Sequence, residues 1–210
     1  MTQSDRERLA VLVHEVRSPV AALRAIAETY RGRLETSERG RLIELAVAAC
    51  HGIERLVGDV TVSSVRLEEV DVGRLVEGVV AAAVLGGANV RAEVDAGLPP
   101  LRADPLRLRQ ALDNLVGNAL RHGESSEEVL IRARPEGSSV LLSVADQGPG
   151  IPLDEQERIF EAGVRLDSGR PGSGLGLALA RAIVEAHRGT LTIDSTPDEG
   201  ATFTIELPVS

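Results

Sequence analysis

Residues 104–123 of the chain read DPLRLRQALDNLVGNALRHG. Asp104 is a typical N-cap residue, Pro105 is favoured in the first turn of a helix, and Gly123 is typical of a helix end. The apolar residues between them recur at helical spacing and form one face: Leu108, Ala111, Leu112, Leu115 and Ala119. The stretch therefore predicts an amphipathic helix over residues 105–122, with one face on a core.

The neighbouring face of this helix carries Asn114, Asn118, Arg121 and His122 at helical spacing. An Asn oxygen is a hard, neutral ligand of the kind that suits Mg²⁺, which also keeps water and phosphate oxygens around it. An arginine such as Arg121 pairs well with phosphate. The face therefore favours a phosphate and magnesium site, with an ordinary solvated helix face as the alternative.

A second polar group lies at the end of a predicted strand over residues 139–146, in which every second side chain up to Asp146 shares one face with apolar residues. A buried carboxylate needs a hydrogen-bond donor, and the amino group of an adenine would supply one. Gly148 and Gly150 follow and allow the backbone to approach a flat ring closely. The alternative is a strand that ends in an ordinary turn.

A third segment, GSGLGL, contains Gly172, Gly174, Leu175 and Gly176 and leads into a predicted helix. Free N–H groups at a helix N-terminus bind phosphate. The dinucleotide fingerprint and the P-loop pattern are both absent from the segments with glycine, so a phosphate here would be held by some other fold.

The remaining pattern around these segments mixes helices with strands. Further helices are predicted over 71–85 and 176–187, and strands over 90–94, 129–134, 189–195 and 201–207, with a loop through Pro135, Glu136 and Gly137. This order predicts an α+β sandwich with helices on one face of a sheet.

The N-terminal part of the chain has a different period. Apolar residues from Leu9 to Tyr30 and from Leu42 to Val60 fall on heptad positions, and the polar stretch 35–40 lies between the two runs. The pattern predicts an antiparallel helical hairpin, and its wide apolar stripe favours a symmetric dimer that forms a four-helix bundle.

His14 falls outside the apolar seam of the first predicted helix and is followed by Glu15 and, within the helix, by Pro19. A proline inside a helix costs about 3 kcal/mol, which suggests that the exposed imidazole beside it is used. A neutral imidazole is a good nucleophile near pH 7, and an adjacent carboxylate could orient it and accept its proton. The alternative is a plain surface histidine, which is our interpretation of His51.

Composition limits the classes of protein that remain. The 210 residues include 23 Lys plus Arg and 32 Asp plus Glu, so the net charge of −9 argues against a nucleic-acid partner. The single cysteine, Cys50, excludes a disulfide scaffold. The uncharged run from Gly78 to Val90 is shorter than the roughly 20 residues of a membrane helix. We therefore expect a cytoplasmic protein.

Taken together, the segments resemble the transmitter core of two-component sensor histidine kinases over residues 6–208. The boxes of that family occur in its order: the phospho-acceptor box at 14–19, the N box at 114–122, the G1 box at 146–150, a short F box at Phe160 and the G2 box at 172–177. The resemblance implies an α+β multidomain chain, in which residues 1–65 form the hairpin of a dimeric four-helix bundle and residues 66–210 form a Bergerat-fold ATP-binding domain.

The family resemblance also implies the reaction and its partners. His14 would attack the γ-phosphate of ATP with Glu15 as its proton partner, and the phosphoryl group would pass to an Asp in the receiver domain of a response regulator. ATP, Mg²⁺ and a second copy of the chain are therefore expected. The stimulus would come from a separate sensor protein or from a sensor region in a longer, membrane-bound kinase of which this is the cytoplasmic part.

For the phosphate end of the nucleotide, the resemblance implies Asn118 as the Mg²⁺ ligand and Asn114, Arg121 and His122 as contacts on the triphosphate side.

For the base end, the resemblance implies that Asp146 reads the adenine beside Gly148 and Gly150. Gly172, Gly174 and Gly176 would be the hinges of a lid over residues 162–173.

Three residues depart from the family pattern. Ser18, the phosphatase candidate, lies where kinases that also dephosphorylate their partners usually carry Thr or Asn. The stretch Gly163-Val164-Arg165 after Phe160 lacks the second aromatic residue that is common there, and Ala201 lies where Thr or Ser often assists adenine recognition. Two alternatives remain: an ATP-binding scaffold or phosphatase-biased partner without autokinase activity, and an ATP-gated machine of the gyrase, chaperone or mismatch-repair kind. The latter carries a Glu in place of Asn114.

Overall fold

The computed structural model describes residues 65–123, 127–166 and 174–209. The chain divides into two units, Met1–Thr61 and Val62–Ser210, and every described residue belongs to the second. The predicted hairpin over residues 1–65, with His14, Glu15 and Ser18, therefore lies outside the described residues except for Val65. The hairpin, its dimer and the domain boundary at residue 65 stay predictions.

Three α-helices and seven strands make up the described part of the chain. The helices are α1 (Val72–Leu85), α2 (Pro105–His122) and α3 (Gly176–Ala186), and Arg158–Phe160 form one 3₁₀ turn. The strands are β1 (Glu68–Val70), β2 (Val90–Val94), β3 (Leu101–Ala103), β4 (Val129–Glu136), β5 (Ser139–Asp146), β6 (Thr190–Ser195) and β7 (Ala201–Pro208).

The larger sheet has five strands in the order β2-β4-β5-β7-β6, and β1 pairs with β3 in a small separate sheet. Only the pairing of β2 with β4 is parallel in the larger sheet, and the others are antiparallel. Along β5 every second residue is buried, ending at Asp146. These side chains join the buried faces of the three helices in one apolar core, so the sandwich with helices on one face is confirmed.

The bounds of α2, β2 and β5 agree with the prediction to the residue, and Asp71 and Asp104 cap α1 and α2 as expected of N-cap residues. The predicted loop through Pro135 and Glu136 is wrong, since both belong to β4. Strand β2 ends opposite Ala133, so Pro135 lies beyond the last residue of β4 that pairs with β2.

Candidate nucleotide-binding site

Helices α2 and α3 run antiparallel, and this brings the first residue of α3 against the middle of α2. A Cβ atom built on Gly176 would lie 3.5 Å from Oδ1 of Asn114. No described side chain caps the first turn of α3, so its N–H groups point outward without an intrahelical acceptor. The arrangement gives a site for an anionic group, with the Asn114 side chain beside it.

The side-chain amide of Asn114 supports this assignment. Its Nδ2 atom is buried and has no hydrogen-bond partner among the described residues. A buried donor without an acceptor costs about 1–3 kcal/mol and is rare in native proteins. A polar ligand at the start of α3 would give this donor an acceptor.

Asn118 and Arg121 follow Asn114 along the same helix. Asn118 lies one turn on and is half-buried. Arg121 is exposed as a residue, but its guanidinium folds back so that a Cβ on Gly117 would lie 3.3 Å from Nη1. The loss of solvent around the guanidinium lowers the pKa of Arg121 below its ordinary value. Both side chains therefore belong to the helix segment that continues from the anionic site towards Gly123.

Asp146, at the end of β5, is buried. Its carboxylate accepts hydrogen bonds from the backbone N–H groups of Gly148, at 2.9 Å, and Ala201. Burial raises the pKa of Asp146 above its ordinary value, while these two hydrogen bonds and the charge of His122 act in the opposite direction. The structure confirms the buried position that the strand pattern predicted.

His122 lies at this same end of α2. A Cβ on Gly148 would approach the carbonyl oxygen of His122 to 2.8 Å, and the two side chains of His122 and Asp146 interact electrostatically. In the structure His122 lies beside Asp146, and the triphosphate contact that the family resemblance implies for it stays a prediction. Helix α2 thus carries Asn114 at the α3 end of the site and His122 at the Asp146 end.

A cavity of about 280 Å³ opens beside Asp146. It is lined by the last turn of α2, by Asp146 and Gln147, by residues 86–89 and by residues 127–129. Neither Asn114 nor Gly176 lines it. The Asp146 end of the site is therefore already concave.

The side chains of Ser195 and Gln156 hold the loop that follows Asp146. The hydroxyl of Ser195 accepts a hydrogen bond from the N–H of Ile151 at 2.9 Å and donates one to the carbonyl of Gly200 at 2.6 Å. The amide of Gln156 donates to the carbonyls of Ile151 and Ser195, both at 2.9 Å. The loop that contains Gly148 and Gly150 is thereby held against the turn between β6 and β7.

The backbone conformation and the packing both require a glycine at position 150. Its φ of 68° is left-handed, and a Cβ there would overlap the carbonyl of Thr196. Glycine is thus needed at position 150 for the contact with the β6–β7 turn. The sequence did not reveal this requirement, and it also gave no local signal for the roles of Ser195 and Gln156.

The glycine-rich segment is described only from Gly174 onward, and Gly172 lies outside the described residues. The N–H of Gly163 donates to the carbonyl of Gly174 at 2.9 Å, and a Cβ on Gly174 would approach the carbonyl of Val164 to 2.7 Å. The two ends of the predicted lid are therefore joined at its base. Nearby, Phe160 packs edge-on against Phe203 and under the guanidinium of Arg181.

Within residues 65–123, 127–166 and 174–209, none of the helices combines the length and the apolar character needed to cross a bilayer.

Residues 103–210 match the family model described as the histidine kinase-, DNA gyrase B- and HSP90-like ATPase. Among curated proteins, the chain is 31% identical over 211 residues to the alginate biosynthesis sensor protein KinB of Pseudomonas aeruginosa. This match covers 93% of the chain. The chain is 30% identical over 224 residues to the sensor-like histidine kinase SenX3 of Mycolicibacterium smegmatis, which covers 99% of this chain. The chain spans 36% of the length of KinB and 58% of that of SenX3.

Solved structures give the same result. Full-length ShkA in complex with AMPPNP is 31% identical, with a TM-score of 0.75 over 96% of this chain and 45% of ShkA. The histidine kinase AdeS of Acinetobacter baumannii is 25% identical, with a TM-score of 0.68 over 94% of this chain and 98% of the AdeS chain.

Proposed function

This chain belongs to the family of histidine kinase-, DNA gyrase B- and HSP90-like ATPases, and we propose that it is the catalytic core of a two-component histidine kinase, which phosphorylates its own His14 with ATP. One observation carries the proposal: helix α2 carries the Asn114 amide, whose buried Nδ2 has no hydrogen-bond partner among the described residues, and ends beside the buried carboxyl of Asp146. The relatives named as sensor kinases support it.

The middle and the C-terminal end of α2 define how ATP would bind. Asn114 and His122 are separated along the helix axis by about 12 Å, at 1.5 Å per residue. The carboxylate of Asp146 would accept from the amino group of adenine, with His122 beside the base. The outward N–H groups of α3 and the amide of Asn114 would donate to phosphate oxygens.

The donor set also fits Mg²⁺. Within the described ranges, no three His, Cys, Asp or Glu side chains lie close enough to hold a metal ion by themselves. The Asn118 oxygen is a suitable ligand only for a cation that phosphate oxygens and water also coordinate, which is the usual way that Mg²⁺ is bound. When bound, Mg²⁺ would neutralise charge on the phosphate oxygens.

In the transfer step, an imidazole nitrogen of His14 forms a bond to the γ-phosphorus, and the bond from that phosphorus to the bridging oxygen of ADP breaks. Glu15 takes the proton that the imidazole loses. The phosphoryl group then passes to an aspartate carboxylate of a response regulator, and the imidazole regains a proton. We place these steps in a homodimer on the cytoplasmic side.

Asn114 favours phosphoryl transfer over the hydrolysis catalysed by gyrase-like members. A water molecule that attacks ATP needs a general base, and a carboxylate can accept its proton whereas an amide cannot. The amide of Asn114 serves instead as a donor at the start of α3.

The proposal is tested by incubating the purified chain with Mg²⁺ and γ-labelled ATP, beside the variants His14→Gln and Asn118→Ala. We expect acid-labile, alkali-stable label on the parent and none on His14→Gln, which should still bind ATP. Asn118→Ala should lose label by about a hundredfold or more, the size expected when one group that stabilises transition-state charge is removed. Label that persists on His14→Gln would assign a different acceptor, and ATP binding without label on the parent would favour the scaffold or phosphatase function, in which Ser18 is the next residue to test.

A further inference from the structure

Only two polar side chains in the described part of the chain are buried, Asp146 and His187. The nucleotide site accounts for Asp146 alone. His187 caps the C-terminus of α3, and its Nδ1 atom lies 2.7 Å from the carbonyl oxygen of Ile183. Its Nε2 atom accepts a hydrogen bond of 2.8 Å from the backbone N–H of Asp104. The ring is therefore neutral, with its proton on Nδ1, and both nitrogens are engaged.

These two hydrogen bonds join the end of α3 to the beginning of α2. Asp104 is the N-cap residue of α2, where its side chain also accepts from the N–H of Arg107 at 3.1 Å. Ile183 lies in the last turn of α3. Because an N-cap N–H has no role in the hydrogen bonding of its own helix, the Asp104 N–H is available to hold a second element.

The other end of the same helix pair is the candidate phosphate site. Asn114 lies ten residues beyond Asp104 on α2, and Gly176 lies eleven residues before His187 on α3. At 1.5 Å per residue, the two ends are separated by about 15 Å. The hydrogen bonds of His187 and the candidate phosphate site thus lie at opposite ends of the contact between the two helices.

We propose that His187 is a positioning residue: its Nε2 atom fixes α3 along α2, so that the first N–H groups of α3 and the amide of Asn114 converge on the triphosphate. The inference rests on the proposed ATP site. A displacement of α3 along α2 would separate these donors, whereas Asp146 and its loop are held independently by Ser195 and Gln156. His187 therefore acts on the phosphate end and leaves the base end intact.

The test compares His187→Leu, which removes the acceptor while keeping an apolar side chain, with His187→Gln, whose Oε1 reaches about as far as Nε2 and accepts the same N–H. Leu106→Ala is the control, since Leu106 is in the first turn of α2 and is 80% exposed. For each full-length variant, affinities are measured for AMPPNP with Mg²⁺ and for adenosine, which carries the base and sugar alone.

We expect His187→Leu to bind AMPPNP about tenfold more weakly, which corresponds to about 1.4 kcal/mol, with adenosine affinity unchanged. His187→Gln should recover AMPPNP affinity to within about twofold of the parent, a difference well below 1 kcal/mol. A parent that binds neither probe would refute the ATP site itself.

Three results would overturn the positioning role alone while the parent binds AMPPNP. The first is a folded leucine variant with parental AMPPNP affinity. The second is an equal loss for AMPPNP and adenosine, which indicates a general structural role. The third is a folded His187→Gln that stays as weak as His187→Leu, and this variant decides the question if His187→Leu does not fold.

Discussion

The two ends of the nucleotide site differ in how completely their polar groups are paired. At the base end, the carboxylate of Asp146 accepts two backbone hydrogen bonds, and the following loop is held by Ser195 and Gln156. At the phosphate end, the amide of Asn114 has no partner among the described residues, and α3 begins without a described side-chain cap.

This difference indicates two ways of preparing for a ligand. The base end is built before binding, so a planar group meets donors and acceptors already in position. The phosphate end keeps its donors unpaired, at a cost in stability, and the anionic ligand supplies their acceptors. Substitutions at the base end should therefore reduce stability, and removal of polar groups at the phosphate end should increase it.

The largest loss of stability is expected for Gly150→Ala. The left-handed φ and the overlap with the Thr196 carbonyl together should lower the free energy of unfolding by about 3 kcal/mol or more. Gly163→Ala is the matched control, because its φ of 85° is also left-handed but a Cβ there meets nothing within 4 Å. It should lose only about 1 kcal/mol. Equal losses in urea unfolding would contradict the rigid contact at Gly150.

Ser195→Ala should cost less, about 2 kcal/mol, because it removes one accepted and one donated hydrogen bond of about 1 kcal/mol each. Thr192→Ala removes an exposed hydroxyl from the same strand, with a contact of 3.4 Å to the Thr204 carbonyl, and should cost less than about 0.5 kcal/mol. Adenosine affinity should fall for Ser195→Ala alone. If the two variants behave alike, Ser195 does not hold the loop.

The sequence was sufficient for elements with local signals. N-cap and helix-end residues delimit α2 between Asp104 and Gly123, and the alternation along β5 predicts the burial of Asp146. Strands β1 and β3 were missed because three residues are too few to show a period.

The long-range hydrogen bonds of Ser195, Gln156 and His187 could not be predicted, because they join residues 39 to 83 positions apart and depend on the completed sheet and helix pair. For the same reason the helical spacing grouped His122 with Asn114, although the two residues lie at opposite ends of the site. Local patterns therefore suggested candidate groups for the site, and tertiary contacts determine how those groups are held.

Asn114→Leu tests the phosphate end directly. The substitution removes a buried Nδ2 donor that has no partner among the described residues and puts an apolar group of similar shape in its place, so the ligand-free protein should gain about 1 kcal/mol. Binding of AMPPNP should be lost, because the donor is gone. Asp113→Asn, on the exposed face of the same helix, should change stability by no more than about 0.5 kcal/mol. A destabilised leucine variant would show that the Asn114 amide is satisfied within the protein.

The smallest effect is expected from Asp104→Asn, which keeps an N-cap side chain but removes its charge. Burial by itself raises the pKa of Asp104, but hydrogen bonds from the N–H groups of Arg66 and Arg107 lower it below the ordinary 3.8. The charged carboxylate therefore stabilises the fold above pH 3.8, and this contribution is lost as the pH falls through the lowered pKa. Since the side chain is only partly buried, the variant should lose less than about 1 kcal/mol at pH 7.

Urea unfolding of Asp104→Asn and of its parent, at pH 7 and near pH 3, measures the difference in their free energies of unfolding. This difference should be smaller near pH 3. For Asp146 the sign is opposite: burial raises its pKa, so ionisation costs the parent stability as the pH rises from 3.8 through the raised value. The stability of Asp146→Asn should not fall in this way as the pH rises. The same pH dependence for both variants would contradict the assignment of one carboxyl to helix capping and the other to a desolvated site.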